Sequence, residues 1–234
     1  MAVAQDGRAG GTVIAIDGPS GSGKSSTSRG VARRLGLRYL DTGAQYRAMT
    51  WWMLEQAVDL ADGEAVAAAS LLPRLSLDTD PDGHGITVDG RVLVEEIRTG
   101  AVDAAVSKVA GVRAVRTRLI EAQRECVRAA VAESAGIVVE GRDIAEVVWP
   151  IAATKVYLTA DQAVRAARRE AEHHGAGRGA EAAATLAELA RRDAEDAKTT
   201  RPLDAAPGAV VVDGTHLTLD EVVEEIVRLA GKTR

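Results

Sequence analysis

An apolar, β-branched run, Thr12-Val13-Ile14-Ala15-Ile16-Asp17, precedes a Gly/Ser-rich turn over 18–23. Such a run reads as a parallel strand buried on both faces. The spacing after it predicts a helix over 24–35, with Gly36 placed to stop it. Tyr39-Leu40 leads into Asp41-Thr42-Gly43, a second strand-to-helix turn, and helices are predicted over 44–58 and 63–72. The pattern then shortens to strands over 75–78, 85–88 and 91–94, with Pro81-Asp82-Gly83 and Asp89-Gly90 as turns. Asp-Gly between apolar runs signals a hairpin. From 101 to 133 the pattern is helical, and Val112, Val115, Leu119, Ala122 and Cys126 step by three and four along one face. Cys126 on that stripe reads as a core residue. Ile137-Val138-Val139, Lys155-Val156-Tyr157-Leu158 and Val210-Val211-Val212-Asp213 are further strands. Helices are expected over 161–173 and 180–196, flanking a Gly-rich tip, and over 219–229.

Strands that alternate with helices imply an α/β fold, a doubly wound parallel sheet flanked by helices. A small antiparallel β insert interrupts it in the middle. Ligands in such sheets bind at the carboxyl ends of strands, so the turns after strands are where chemistry is expected.

Composition narrows the class. The 234 residues carry 29 basic and 34 acidic side chains, net −5, which argues against nonspecific binding to a nucleic-acid polymer. No apolar run approaches the ~20 residues of a membrane span. The segment from Met1 to Gly11 has no apolar centre of a signal peptide. Cys126 is the only cysteine, so an internal disulfide framework is excluded. The expectation is a soluble cytoplasmic protein. His173 and His174 are adjacent, face different ways on a helix and have no carboxylate–His cluster at metal spacing.

Gly18-Pro19-Ser20-Gly21-Ser22-Gly23-Lys24-Ser25 fits G-x-x-x-x-G-K-[ST] at every fixed position, between an apolar strand and a helix. Glycines let backbone N–H groups approach phosphate oxygens, and the helix starting near Lys24 aims its positive end at the same anion. Lys24 adds a charge at the β- and γ-phosphates, and the Ser25 hydroxyl can ligate Mg²⁺. The chain has no Asn, so the Asn-Lys-x-Asp base reader of a GTPase cannot exist. A small P-loop kinase fits the length best.

Further charged groups fall where a second phosphorylated ligand would sit. Asp41-Thr42-Gly43 and Arg47 follow the second strand, and Arg142-Asp143 end the strand over 137–140. Arg165, Arg168 and Arg169 lie before the Gly-rich tip, and Arg191, Arg192, Asp193 and Asp196 end the penultimate helix. Singly, each reads as a cap or a solvated helical pair, but together, at the carboxyl ends of strands beside the phosphate loop, they point to function. Asp41 and Asp143 are the candidate caps.

Ile16-Asp17-Gly18-Pro19-Ser20-Gly21-Ser22-Gly23-Lys24-Ser25-Ser26, Asp41-Thr42-Gly43-Ala44-Gln45-Tyr46-Arg47 and Val139-Glu140-Gly141-Arg142-Asp143-Ile144 together resemble the bacterial cytidylate kinase family. Glu96-Ile97-Arg98, Ser107, Val115-Arg116 and Arg192-Asp193-x-x-Asp196 continue the resemblance, from about residue 12 to 230. It implies transfer of the γ-phosphoryl group of Mg-ATP to CMP or dCMP by a protein acting as a monomer, with Mg²⁺ arriving on ATP. Gly18, Pro19, Ser20, Gly21, Ser22, Gly23, Lys24, Ser25 and Ser26 would hold ATP, with Ser25 on the metal. Arg47 and Arg142 would bind the CMP phosphate with Thr42 nearby. Ser107, Arg116 and Asp143 would read cytosine, and Arg192 and Asp196 would face the acceptor sugar. Lys24, Arg142 and Arg192 would be the catalytic cations. The resemblance divides the chain into a kinase core over 1–59 and 105–234, a monophosphate-binding insert over 60–104 and a lid over 161–180.

Three departures from the family pattern accompany it. Lys198 and Arg201 compete to replace an Arg usually found soon after Asp196. Ala145-Glu146 stands where Gly-Thr is usual, adding a charge near the acceptor. Arg113 replaces the Pro usual three residues before Arg116. Two other readings stay open: a P-loop kinase for another monophosphate or small metabolite, and a nucleotide-binding regulator that has lost catalysis. The Ser107, Arg116, Asp143 set speaks against the first, and the presence of Lys24, Ser25, Arg47, Arg142 and Asp143 against the second.

Overall fold

The structure, a computed structural model, describes residues 11–83, 85–133, 135–175, 182–197, 200 and 204–232. At 172–175, 182–185, 188, 189 and 192 that description is of the backbone alone. The fold is built on five parallel strands: β1 (Val13–Asp17), β2 (Arg38–Asp41), β6 (Ile137–Gly141), β7 (Thr154–Thr159) and β8 (Val210–Asp213). Their order across the sheet is β2-β6-β1-β7-β8. The chain leaves β1 for β2 on one side, fills the gap with β6, then crosses to β7 and β8. That reversal around β1 opens a crevice at the carboxyl ends of β1, β6 and β2, where an open α/β sheet places its ligand.

Alternating strand residues feed two cores, because successive side chains of a strand point to opposite faces. Ile14, Ile16, Tyr39, Val138, Val156 and Leu158 face α1 (Lys24–Leu35) and α8 (Leu219–Lys232), meeting Val31, Val222 and Ile226. Val13, Ala15, Leu40, Ile137 and Val139 face the other way, onto Val127 and Ala130 of α5 (Arg113–Ala132). β1 and β6 are therefore buried at every position, and are apolar except where they end in Asp17 and in Glu140-Gly141.

The insert hangs on α2 (Thr42–Glu55). The antiparallel sheet of β3 (Leu75–Leu77), β4 (Ile86–Val88) and β5 (Arg91–Leu93) presents Ile86, Val88 and Leu93 to Ala44 and Ala48 of α2. The short α3 (Gly63–Ala69) packs Val66 and Ala69 against Met49 and Met53 on the other flank of α2. Asp41 caps α2, its carboxylate accepting from Ala44 N–H at 2.9 Å.

The helical segment expected over 101–133 is two helices, α4 (Gly100–Gly111) and α5, broken where Val112 turns extended at φ −77°, ψ 118°. Val109 of α4 and Val115 and Leu119 of α5 enter one apolar cluster, so the apolar spacing runs on across the break. The buried stripe of α5 is Val115, Leu119, Gln123, Val127 and Ala130, with Cys126 half-buried at its edge and its thiol raised by burial. Arg113 takes the first helical position of α5, a place where proline's missing N–H would cost nothing. The helices after β7 are α6 (Gln162–Gly175) and α7 (Ala182–Asp196), which pack together. The tip between them, 176–181, and with it part of the expected lid, lies outside the described residues.

Candidate functional site

The turn from β1 to α1 carries the phosphate-loop residues. Gly21 has φ +74°, and a Cβ there would sit 2.7 Å from the carbonyl oxygen of Arg165, so both backbone and neighbour demand glycine. Four cationic side chains donate to the turn's carbonyls. Lys24 donates to Pro19 O at 2.7 Å, Arg142 to Gly18 O at 2.8 Å, Arg165 to Ser20 O at 3.0 Å and Arg168 to Ser22 O at 3.3 Å. On the N–H side of the turn, Ser20 N–H donates to the Asp193 carboxylate at 3.4 Å. Arg165 is itself locked to Asp193 at 2.7 Å, both nearly buried, which fixes α6 and α7 against the loop.

A cavity of about 420 Å³ runs from this loop to the ends of β2 and β6. That volume lies in the range of small-ligand sites. Ser20, Gly21, Gly23, Lys24, Ser25 and Ser26 line one end. Thr42, Arg47, Ser107, Arg116, Arg142, Asp143 and Asp196 line the other. Gly18, Pro19 and Ser22 belong to the turn but not to the cavity wall. The side chain of Arg192, and both Lys198 and Arg201, lie outside the described residues.

The end of the cavity toward β2 and β6 is a lattice of ion pairs. Arg47 of α2 meets Asp103 of α4 at 2.5 Å and donates to Ile97 O at 2.9 Å. Arg169 of α6 meets the same Asp103 at 3.0 Å. Arg142 meets Asp196 of α7 at 3.1 Å, and Ser107 donates to the other oxygen of Asp196 at 3.1 Å. Arg116 is paired with Asp143. Thr42 donates to Glu140 O at 2.7 Å. Residues from β2, β6, α2, α4, α5, α6 and α7 thus converge on one volume.

Two carboxylates in this neighbourhood stand outside the set chosen from sequence. Glu140, buried, accepts from the Tyr39 hydroxyl and is hydrogen-bonded to Ser25. Burial and the nearby Asp41 push its carboxyl up, while burial and Arg142 pull the Lys24 ammonium down. Asp17, 5% exposed, accepts from Ile144 N–H and Ala145 N–H, each at 2.8 Å. Burial pushes it up to about 6 against those two bonds. A carboxylate closing an apolar strand was the available signal for both. Glu146, expected to add charge beside the acceptor, is exposed and does not line the cavity, because the wide turn over Ile144–Val148 buries Ile144, Ala145 and Val148 instead. Asp143, weighed as a cap, makes no cap bond to that turn.

Among the described residues no helix is long and apolar enough to cross a membrane.

A phosphate loop at the end of the central strand, sharing its cavity with arginines from the next strand ends, defines the class of P-loop kinases of the α/β type. Residues 14–232 match the family described as Cytidylate kinase. Curated relatives of that name are 48% identical in Streptomyces avermitilis and 50% identical in Streptomyces coelicolor, each match covering 95% of this chain and 94% of the relative. One from Rhodococcus opacus is 48% identical over 94% of this chain and 95% of its own. This chain belongs to the cytidylate kinase family. Among solved structures, an unliganded sugar kinase of a Janibacter species aligns with TM-score 0.48 at 14% identity, covering 94% of this chain and 95% of its own. That loose likeness adds nothing to the assignment.

Proposed function

We propose that this chain transfers the γ-phosphoryl group of ATP to CMP or dCMP. The observation that carries the reading is the single cavity shared by a phosphate loop and, facing it, Arg47, Arg142 and Arg116. Two polyanions brought together there need cations on both sides and little else, because phosphoryl transfer is mostly in-line positioning and charge neutralisation.

In this reading the backbone N–H groups of 18–26 and Lys24 hold the ATP phosphates. Arg47 and Arg142 bind the acceptor phosphate, with Thr42 beside them. One oxygen of that phosphate attacks the γ-phosphorus, the bond to the β–γ bridging oxygen breaks, and ADP leaves with the electron pair. Lys24 and Arg142, with Arg192, neutralise the charge that spreads during transfer. Ser107, Arg116 and Asp143 read the base. The Asp143 side chain accepts from the cytosine 4-amino group, and a uracil carbonyl in its place leaves two acceptors opposed. Arg192 and Asp196 face the sugar. The insert over 60–104 serves as the monophosphate-binding unit and 161–180 as the lid.

The donor set at Ser25 suits Mg²⁺, since a hydroxyl hydrogen-bonded to a buried carboxylate, Glu140, offers hard oxygen atoms. Ser25 would hold the ion with Glu140 behind it. When bound, the ion neutralises charge on the β- and γ-phosphates.

The test is ADP release from Mg-ATP with CMP, dCMP, UMP, AMP, GMP and shikimate. Strong turnover with CMP and dCMP, weak with UMP and none with the rest supports the reading. Turnover with another acceptor keeps the loop chemistry and discards the base-reading set, and no turnover alongside ATP binding discards the kinase.

A further inference from the structure

Asp17 and Arg142 make a reciprocal joint. The Asp17 side chain takes the backbone N–H groups of Ile144 and Ala145, one on each oxygen, at 2.8 Å. The Arg142 side chain returns to the backbone on the other side, donating to Gly18 O, the residue after Asp17, at 2.8 Å. Asp17 also faces Gly141 in the β1–β6 register. The strand end that launches the phosphate loop and the turn that presents Arg142 and Asp143 are therefore tied twice, once from each side.

We propose that Asp17 is a positioning residue for the acceptor: its carboxylate fixes the turn after β6 and so sets where Arg142 and Asp143 meet the monophosphate and its base. The proposal rests on the function read above. Its physical content is that two consecutive N–H groups converge on one buried side chain, and a carboxylate can accept from both with a separate oxygen. A backbone N–H with no acceptor at that depth is costly, so Asp17 decides the turn's shape. Asp17 touches no substrate in this scheme. It acts through the two residues before its partners, and misplacement by a fraction of an ångström at such a site is felt in rate.

Asp17→Asn is the test. Asn keeps the shape but offers one oxygen, and turns an NH₂ toward the second N–H. The expected result is ATP affinity within about twofold of wild type, with kcat/KM for CMP down about tenfold or more, mainly in kcat. The CMP-over-UMP ratio falls with it, although Asp17 is not a base reader. Hydrogen exchange at the Ile144 and Ala145 amides speeds up, while exchange at Ala15 and Ile16 of β1 holds. An unchanged CMP-over-UMP ratio overturns the proposal, and so does a loss confined to ATP affinity. Should the variant not fold, exchange in wild type decides. Ile144 and Ala145 exchanging as slowly as β1 amides supports the clamp, and exchange at loop rates overturns it. Failure of the functional reading would be separate: wild type would then phosphorylate no pyrimidine monophosphate.

Discussion

Arg142 grips Asp196 at 3.1 Å across the cavity, joining the turn after β6 to the end of α7. Arg47 and Arg169 share Asp103, and Arg116 has Asp143. Each of these four arginines thus already meets a carboxylate of the chain, two of them the same one, Asp103, whose side chain is only 6% exposed. In the proposed function, a dianionic phosphate would enter by outcompeting a carboxylate for a planar fork that suits either. Opening one pair would free a cation while its former partner stays near, so that on the proposed function the acceptor would be held by exchange of partners.

Arg142 is the cation with a contact on each side, Gly18 O at the donor end and Asp196 at the acceptor end. Arg142→Ala should lower kcat/KM for CMP by about 10²-fold or more, the scale of losing a transition-state charge contact. Arg142→Lys should recover little of it, because an ammonium cannot bridge two partners through a fork. Steady-state kinetics on both variants check this. Near-wild-type activity in the Lys variant would show that charge alone suffices.

Lys24 reaches Pro19 O at 2.7 Å and sits among Glu140, Asp17 and Arg142. Lys24→Ala should cut turnover by orders of magnitude, about 10²-fold at the least, with the fold kept. Turnover and circular dichroism on one preparation check both halves.

Arg116 and Asp143 are mostly buried and paired. On the proposed base-reading role, Asp143→Asn removes the acceptor for the cytosine amino group and adds a donor that a uracil carbonyl can use. Discrimination between CMP and UMP should shrink by about tenfold or more, because rejection by unpaired buried polar groups is the strong kind. Competition kinetics with the two acceptors read it directly, and an unaltered ratio removes Asp143 from base reading.

Much of the donor side was legible because its determinants are local. The run over 12–17 emerges as Val13–Asp17, and the helix read over 24–35 is Lys24–Leu35. The Asp-Gly turns mark a real antiparallel sheet. The break at Val112 was hidden because α4 and α5 feed one apolar cluster, which keeps the period intact across two axes. The acceptor lattice was hidden for another reason. Arg169 and Asp103 are 66 positions apart, and Asp17 answers backbone groups 127 and 128 positions away. A side chain that binds a backbone leaves no complementary residue type to find.

Gly141, between Glu140 and Arg142, has no room for a side chain. A Cβ there would lie 2.5 Å from Thr42 Oγ1 and 2.7 Å from Ile144 Cδ1. Gly141→Ala should destabilise by about 1–3 kcal/mol through overpacking. It should also cost activity, since Thr42 and the turn bearing Arg142 are what it displaces. Thermal melting with CMP turnover tests this, and an unshifted Tm would show that Thr42 yields freely.

Asp17 also predicts how stability follows pH. Burial raises its carboxyl from 3.8 to about 6, so the folded chain holds the proton more tightly than the unfolded one. A raised carboxyl contributes stability that is complete below pH 3.8 and is lost as pH rises through about 6. Two pH units at 1.36 kcal/mol each make that loss about 3 kcal/mol by pH 7. Asn at this position has no proton to lose. Urea unfolding of wild type and Asp17→Asn at pH 4.5 and pH 7.5 should therefore show the difference moving in the variant's favour as pH rises, even as the variant loses activity. A difference that is flat, or that moves toward wild type, would mean that the two N–H groups of the turn already stabilise the ionised carboxylate enough to cancel its burial.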